Sequence, residues 1–186
     1  MNINEIIKQK CEDSLLFFTR YIFKENTGNK FEAAEFHRTL ANTLHKVHNG
    51  EIKRLIINIP PRYGKTEIAV KMFIAWTLAK NPMAKFIHLS YSDSLALDNS
   101  SMTKEYINSD AYQSIWNLQL KKDSQSQKKW YTTQGGGVYA TSSGGAITGF
   151  GAGTGGAIII DDPLKPDDAL SDVRRSFINK DRKSVV

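Results

Sequence analysis

Ile59-Pro60-Pro61-Arg62-Tyr63-Gly64-Lys65-Thr66 stands between two segments of different periodicity. Before it, Arg54 to Ile59 is short and rich in β-branched residues, as a strand would be. After it, Ile68, Val70, Met72, Phe73, Trp76 and Leu78 are apolar at helical spacing, which predicts a helix over Lys65 to Ala79. A loop entering a helix meets unpaired backbone N–H groups and a partial positive charge, both of which attract phosphate oxygens. Within such a loop Gly64 lets the backbone pass close to an anion, Lys65 reaches the β and γ phosphates, and the Thr66 hydroxyl can ligate Mg²⁺. The stretch therefore predicts an ATP-binding phosphate loop, with Arg62, Tyr63, Gly64, Lys65 and Thr66 contributing the amides that face the phosphates.

The front of the loop departs from the pattern G-x-x-x-x-G-K-[ST]: Ile59 replaces the first glycine, and Pro60 and Pro61 contribute no N–H donors. A second signal compensates. Ala157-Ile158-Ile159-Ile160-Asp161-Asp162-Pro163 is an apolar run that ends in two carboxylates, as a buried strand does when it delivers acids to the edge of a parallel sheet. In this reading Asp161 holds Mg²⁺ opposite Thr66, and Asp162 polarises the water that attacks the γ-phosphate.

Together these residues resemble the ATPase region of the large terminase subunit of tailed bacteriophages and prophages. Pro60-Pro61-Arg62-Tyr63-Gly64-Lys65-Thr66-Glu67 is similar to that family's Pro-Pro-Arg-x-Gly-Lys-Ser/Thr-Glu signature, in which the leading glycine is commonly absent. The similarity extends through Phe36-His37, Ser90 to Ala96, Ile147-Thr148-Gly149 and Asp161 to Lys165, so almost the whole chain is covered. The resemblance implies an ASCE-type P-loop NTPase that hydrolyses ATP with Mg²⁺ and drives double-stranded DNA into a procapsid. It also implies a portal protein and a small terminase subunit as partners, and a homo-oligomeric ring in the full-length parent. Arg62 would then supply transition-state charge in cis, and Phe36 and His37 would lie on the adenine side, although a helix packed with aromatic residues explains the latter two better and neither is assigned as a ligand. Two other readings stay open: a helicase-like nucleic-acid translocase, and a module that binds partners without turning over ATP.

The remaining residues predict an α/β fold. Residues 1–50 form a helical preface, with an amphipathic segment ending before Asn26-Thr27-Gly28 and a second helix over about Ala33 to Val47. Residues 51–186 form a partial P-loop ATPase domain with a parallel sheet flanked by helices: a strand over Lys85 to Tyr91, a helix over about Ser94 to Asn108, and a β-hairpin insertion before the Asp161 strand. Gly135 to Gly137 and Gly144-Gly145 lack a following Lys-Ser/Thr, so they predict turns and close backbone packing. The residues after Asp162 end at Val186, too few for a further strand-helix-strand unit of about 30 residues. The expectation is therefore a fragment that lacks the family's coupling strand and C-terminal nuclease domain.

Composition adds bounds. Twenty-five Lys and Arg against 19 Asp and Glu give a charge of +6, compatible with a polyanionic partner. Lys121-Lys122 and Lys128-Lys129 bracket a Ser/Gln-rich stretch that could follow a DNA backbone or be a plain solvated loop. A lone cysteine, Cys11, excludes a disulfide framework. The absence of an apolar run of about 18 residues and of a signal-peptide core predicts a cytoplasmic protein with no membrane association. The four histidines form no zinc pattern, and Asp167, Asp168 and Asp172 sit in a Pro-interrupted segment, so neither a zinc centre nor a nuclease centre is assigned.

Overall fold

In the computed structural model, residues 2–142, 149–152, 155–164, 172–173 and 176 are described. Three helices open the chain: α1 (Ile3–Asp13), α2 (Leu15–Thr27) and α3 (Glu35–His48). The first two are separate because Ser14 takes an extended conformation between them, and its Oγ accepts the Phe17 N–H at 3.2 Å as an N-cap. Gly28, at φ 72°, ends α2 in the left-handed conformation that favours glycine.

The helix after the loop starts at Lys65 and is widened over Glu67–Met72, where the Phe73 N–H reaches back to the Ile68 carbonyl, before continuing as α4 (Phe73–Lys80). Periodicity predicts a single helix over Lys65 to Ala79 with apolar residues at helical spacing. Every residue from Ile68 to Leu78 is buried, so this helix is the centre of the protein, enclosed on all sides. Trp76 is fully buried, and its Nε1–H donates to the Cys11 carbonyl at 2.7 Å, tying α4 to α1. The Tyr112 hydroxyl donates to the Ala75 carbonyl at 2.9 Å, tying α4 to α6 (Asp110–Trp116), which follows α5 (Asp93–Asn108).

The sheet has five strands in the order β2-β3-β4-β1-β5. These are β1 (Lys85–Ser90), β2 (Leu120–Gln125), β3 (Lys129–Thr132), β4 (Gly137–Ser142) and β5 (Ile158–Ile160). β1 pairs in parallel with both β4 and β5, whereas β2-β3 and β3-β4 are antiparallel. The sheet is thus mixed rather than parallel throughout, and the predicted hairpin is one wing of it rather than a separate insertion. The polar stretch between the lysine pairs is not a plain loop, because Leu120–Gln125 pairs along β3. β1 serves two layers: Phe86 joins the main helical core, while Ile87 and Leu89 pack with Phe150 on the opposite face.

A larger correction concerns Arg54 to Ile59, which lies outside the sheet. Ile57 and Ile59 pack on the core and Ile56 is 86% exposed, so the alternation of a strand is kept while the ladder is missing. Alternation needs only one buried side, whereas a ladder needs a strand edge running alongside, and no described strand pairs with Arg54 to Ile59. The β character expected around Ala146, and the segments Ile147-Thr148, Gly144-Gly145, Asp167-Asp168 and Lys180 to Val186, lie outside the described residues.

The packing of α3 on α4 makes the fold acid-sensitive. His45 and His48 stand edge-on and tilted against Trp76 at 5.0 and 4.8 Å. Burial, helped by the nearby Lys80 charge, holds His48 down at about 4 and His45 below its ordinary value. Burial also lowers His88 in β1, against the opposing pull of Asp161. The unfolded chain therefore binds more protons, so stability is lost as pH falls from the ordinary histidine value of 6.5 toward 4. The urea midpoint is expected to drop between pH 7 and pH 5, and His48→Gln is expected to flatten that drop. A midpoint slope unchanged by the substitution would exclude His48 as the origin.

Candidate functional site

Asp161 and Asp162 follow β5 directly, at the carboxyl edge shared by the three parallel strands. The Asp161 N–H donates to the Leu89 carbonyl at 2.8 Å, and the Tyr91 N–H donates to the Asp162 carbonyl at 3.1 Å, so both acids are anchored to β1. Asp162 has φ 44°, a left-handed turn that swings its carboxylate back toward the one before it. Adjacent strand residues would otherwise point to opposite faces.

The loop meets these acids. Thr66 Oγ1 donates to Asp161 Oδ2 at 2.6 Å across 95 positions of sequence. Lys65 Nζ lies 2.5 Å from Asp162 Oδ1 and 3.3 Å from Asp161 Oδ1. Burial by itself would lower the Lys65 pKa, but the hydrogen bond to Asp162 and the charges of both aspartates outweigh it, and the net shift is upward. Lys65 is therefore a fixed cation at neutral pH. The Asp161 side chain is 6% exposed and that of Asp162 is 56% exposed. The first acid is thus enclosed, as a metal ligand would be, and the second is open to water.

Thr66 and Asp161 are the residues that fit Mg²⁺, offering a hydroxyl and a carboxylate oxygen at adjacent points. Among the described residues no group of three or more His, Cys, Asp or Glu side chains converges. Mg²⁺ held with a nucleotide does not require one, because it takes one or two carboxylates and fills the rest of its octahedron with phosphate oxygens and water.

Of the other loop residues, Gly64 has φ 71°, and a Cβ there would come within 3.2 Å of Phe31 Cζ and 3.4 Å of His37 Nε2. Arg62, at φ 69°, is exposed in the left-handed region, uncommon for a residue with a side chain. Tyr63 is 54% exposed, and its ring meets Phe36 edge-on at 5.9 Å. Lys121, Lys122, Lys128 and Lys129 lie on or beside β2 and β3, at the far end of the sheet from β5. There Lys121 stands over Tyr131 at 5.9 Å, Lys128 over Tyr139 at 5.9 Å, and Lys129 over both rings and Phe150.

Three residues take roles here that the sequence reading did not give them. Glu67 accepts from Lys71 at 2.6 Å and from the Tyr106 hydroxyl at 2.7 Å, beneath the loop. The i,i+4 spacing of Glu67 and Lys71 was a visible signal, although on a surface helix it would denote a weak solvated pair. His37 bonds the loop carbonyl of Tyr63 at 2.9 Å. Gly156 is the third: a Cβ there would fall 1.8 Å from the Lys85 carbonyl oxygen, so only glycine lets the chain enter β5 against β1. Gly136 and Gly137 are equally close to backbone, at 2.3 Å from the Pro82 oxygen and 2.2 Å from the Trp130 oxygen. Close packing, one of the two roles predicted for the glycine clusters, is what these positions show. Gly156→Ala is expected to push β5 off β1, separating Asp161 from Thr66 and costing at least 1 to 3 kcal/mol, about the range for overpacking. Denaturant unfolding together with Mg²⁺-dependent nucleotide binding checks this.

No model of a known protein family matches the chain, and no curated protein matches it. Among the described residues no helix is long and apolar enough to cross a membrane.

Proposed function

We propose that this chain carries the nucleotide-binding core of an ATPase of the DNA-packaging terminase type. The observation that supports it most is the meeting of Thr66 with Asp161 and of Lys65 with both aspartates, which brings together the residue types that phosphate and magnesium chemistry uses. In this reading the loop amides and Lys65 bind the β and γ phosphates, and Thr66 and Asp161 hold Mg²⁺. A metal held by these two residues would supply positive charge to offset that of the phosphates. Asp162, open to solvent, orients the attacking water and accepts its proton, and the exposed Arg62 guanidinium is free to turn toward charge developing on the γ-phosphate.

The assignment to packaging rests on the Pro-Pro-Arg-Tyr-Gly-Lys-Thr-Glu signature, and the Lys121, Lys128 and Lys129 face with its stacked tyrosines suits a polyanion. A second reading has its own support. Ile158 and Ile160 are 42% and 41% exposed on β5, whose outer edge has no partner among the described residues. This edge suits pairing with another polypeptide strand. Titration of the purified chain with MgATP, followed by phosphate release, separates the two. Binding with turnover supports the ATPase, binding without turnover supports the partner-binding module, and no binding removes the phosphate-site reading.

A further inference from the structure

His37 is 5% exposed, and both of its ring nitrogens are engaged. Nδ1 accepts the Ala34 N–H at 2.9 Å, closing the first turn of α3. A backbone N–H can only donate, so Nδ1 is unprotonated and the ring hydrogen sits on Nε2. Nε2, in turn, is 2.9 Å from the Tyr63 carbonyl, which can only accept. The two contacts thus define a single neutral tautomer that donates into the phosphate loop. The ring has no freedom to rotate away: Phe31 packs against it edge-on at 5.2 Å and Phe36 lies tilted on its other side at 4.0 Å.

The consequence follows from the geometry of one peptide unit. The Tyr63–Gly64 bond is trans, so its C=O and N–H point in opposite directions. Holding the Tyr63 carbonyl on His37 turns the Gly64 N–H away from the aromatic floor, toward the open side of the loop. Without that bond the peptide plane can flip, because Gly64 tolerates both signs of φ. We propose that His37 is a positioning residue for the phosphate loop, fixing the Tyr63–Gly64 peptide so that the Gly64 amide is presented to an anionic ligand. The proposal rests on the phosphate-loop reading for the identity of that ligand, and on the hydrogen bonds alone for the positioning.

Two substitutions divide the functions of the imidazole. His37→Gln keeps a donor near the Nε2 position and loses the acceptor for Ala34. His37→Asn keeps an acceptor near the Nδ1 position, and with it the helix cap, but loses the donor to Tyr63. Using the full chain, MgATP affinity is expected to fall at least tenfold in His37→Asn and to stay within about threefold of wild type in His37→Gln, with the larger loss of thermal stability in the glutamine variant. A purely structural role would make affinity follow stability, the reverse order. In parallel, ¹H–¹⁵N correlation spectra without nucleotide are expected to show the Nε2–H tautomer of His37 in wild type and a displaced Gly64 amide resonance in His37→Asn that His37→Gln does not share. If MgATP fails to bind wild type, the ligand reading falls and the Gly64 amide shift still decides the positioning. An unchanged Gly64 amide in His37→Asn, or equal affinities in the two variants, overturns the proposal.

Discussion

Lys65→Ala is expected to lower ATP turnover by about 100- to 1,000-fold, the usual cost of removing one preorganised electrostatic contact from a reacting centre. The side chain is 23% exposed and paired with two carboxylates, so it is a desolvated charge held in place rather than a mobile surface lysine. On the proposed function, its loss removes the cation assigned to the phosphates, and it also leaves Asp161 and Asp162 close together without a counterion. Both effects oppose the approach of a polyanionic nucleotide. Affinity should therefore fall with turnover, whereas Asp162→Asn, which keeps size and hydrogen bonding, should bind MgATP and fail to hydrolyse it. Calorimetric titration and phosphate release on the three proteins check the pattern. Wild-type affinity in Lys65→Ala would end the phosphate-loop interpretation.

Glu67→Ala is expected to destabilise the fold by about 3 to 5 kcal/mol, the range for removing one member of a buried ion pair. The Glu67 and Lys71 side chains are 13% and 10% exposed. Removing the carboxylate strands the Lys71 ammonium with only Met102 Sδ, 3.4 Å away, and takes the acceptor from the Tyr106 hydroxyl. The double substitution Glu67→Leu with Lys71→Met removes both charges, and it should recover most of the loss because no unpaired ion remains. Urea unfolding of the single and double variants measures the difference. If the single substitution costs under about 1 kcal/mol, the pair behaves as a surface pair and the helix is less enclosed than its burial indicates.

The pair also marks where sequence reasoning reaches its limit. Glu67 and Lys71 at i,i+4 look the same in sequence whether water or protein surrounds them. Likewise His37 is, in sequence, one aromatic-flanked histidine on a helix. Its role appears only when the Tyr63 carbonyl, 26 positions away, is placed on Nε2. Elements with their own local signals were legible: α3, α5 and β1 fall within a few residues of their expected bounds, and the hairpin of β3 and β4 precedes the Asp161 strand as expected. Arg54 to Ile59 was misassigned because strand propensity specifies an extended chain with one buried side, and a ladder depends on an edge supplied from elsewhere. α6 and β2 were missed, since seven residues capped by Ser109 and a lysine-rich run carry almost no hydrophobic period.

Residue identity and short-range spacing put Lys65, Thr66, Asp161 and Asp162 forward as candidates, because phosphate and magnesium chemistry draws on few side-chain types in few local arrangements. Their convergence was a matter of packing: parallel pairing of β5 with β1, permitted by the missing side chain at Gly156, sets the acids against a loop braced from below by Phe31 and His37. Local preferences act over a few residues, whereas contacts across 95 positions exist only once the core has closed.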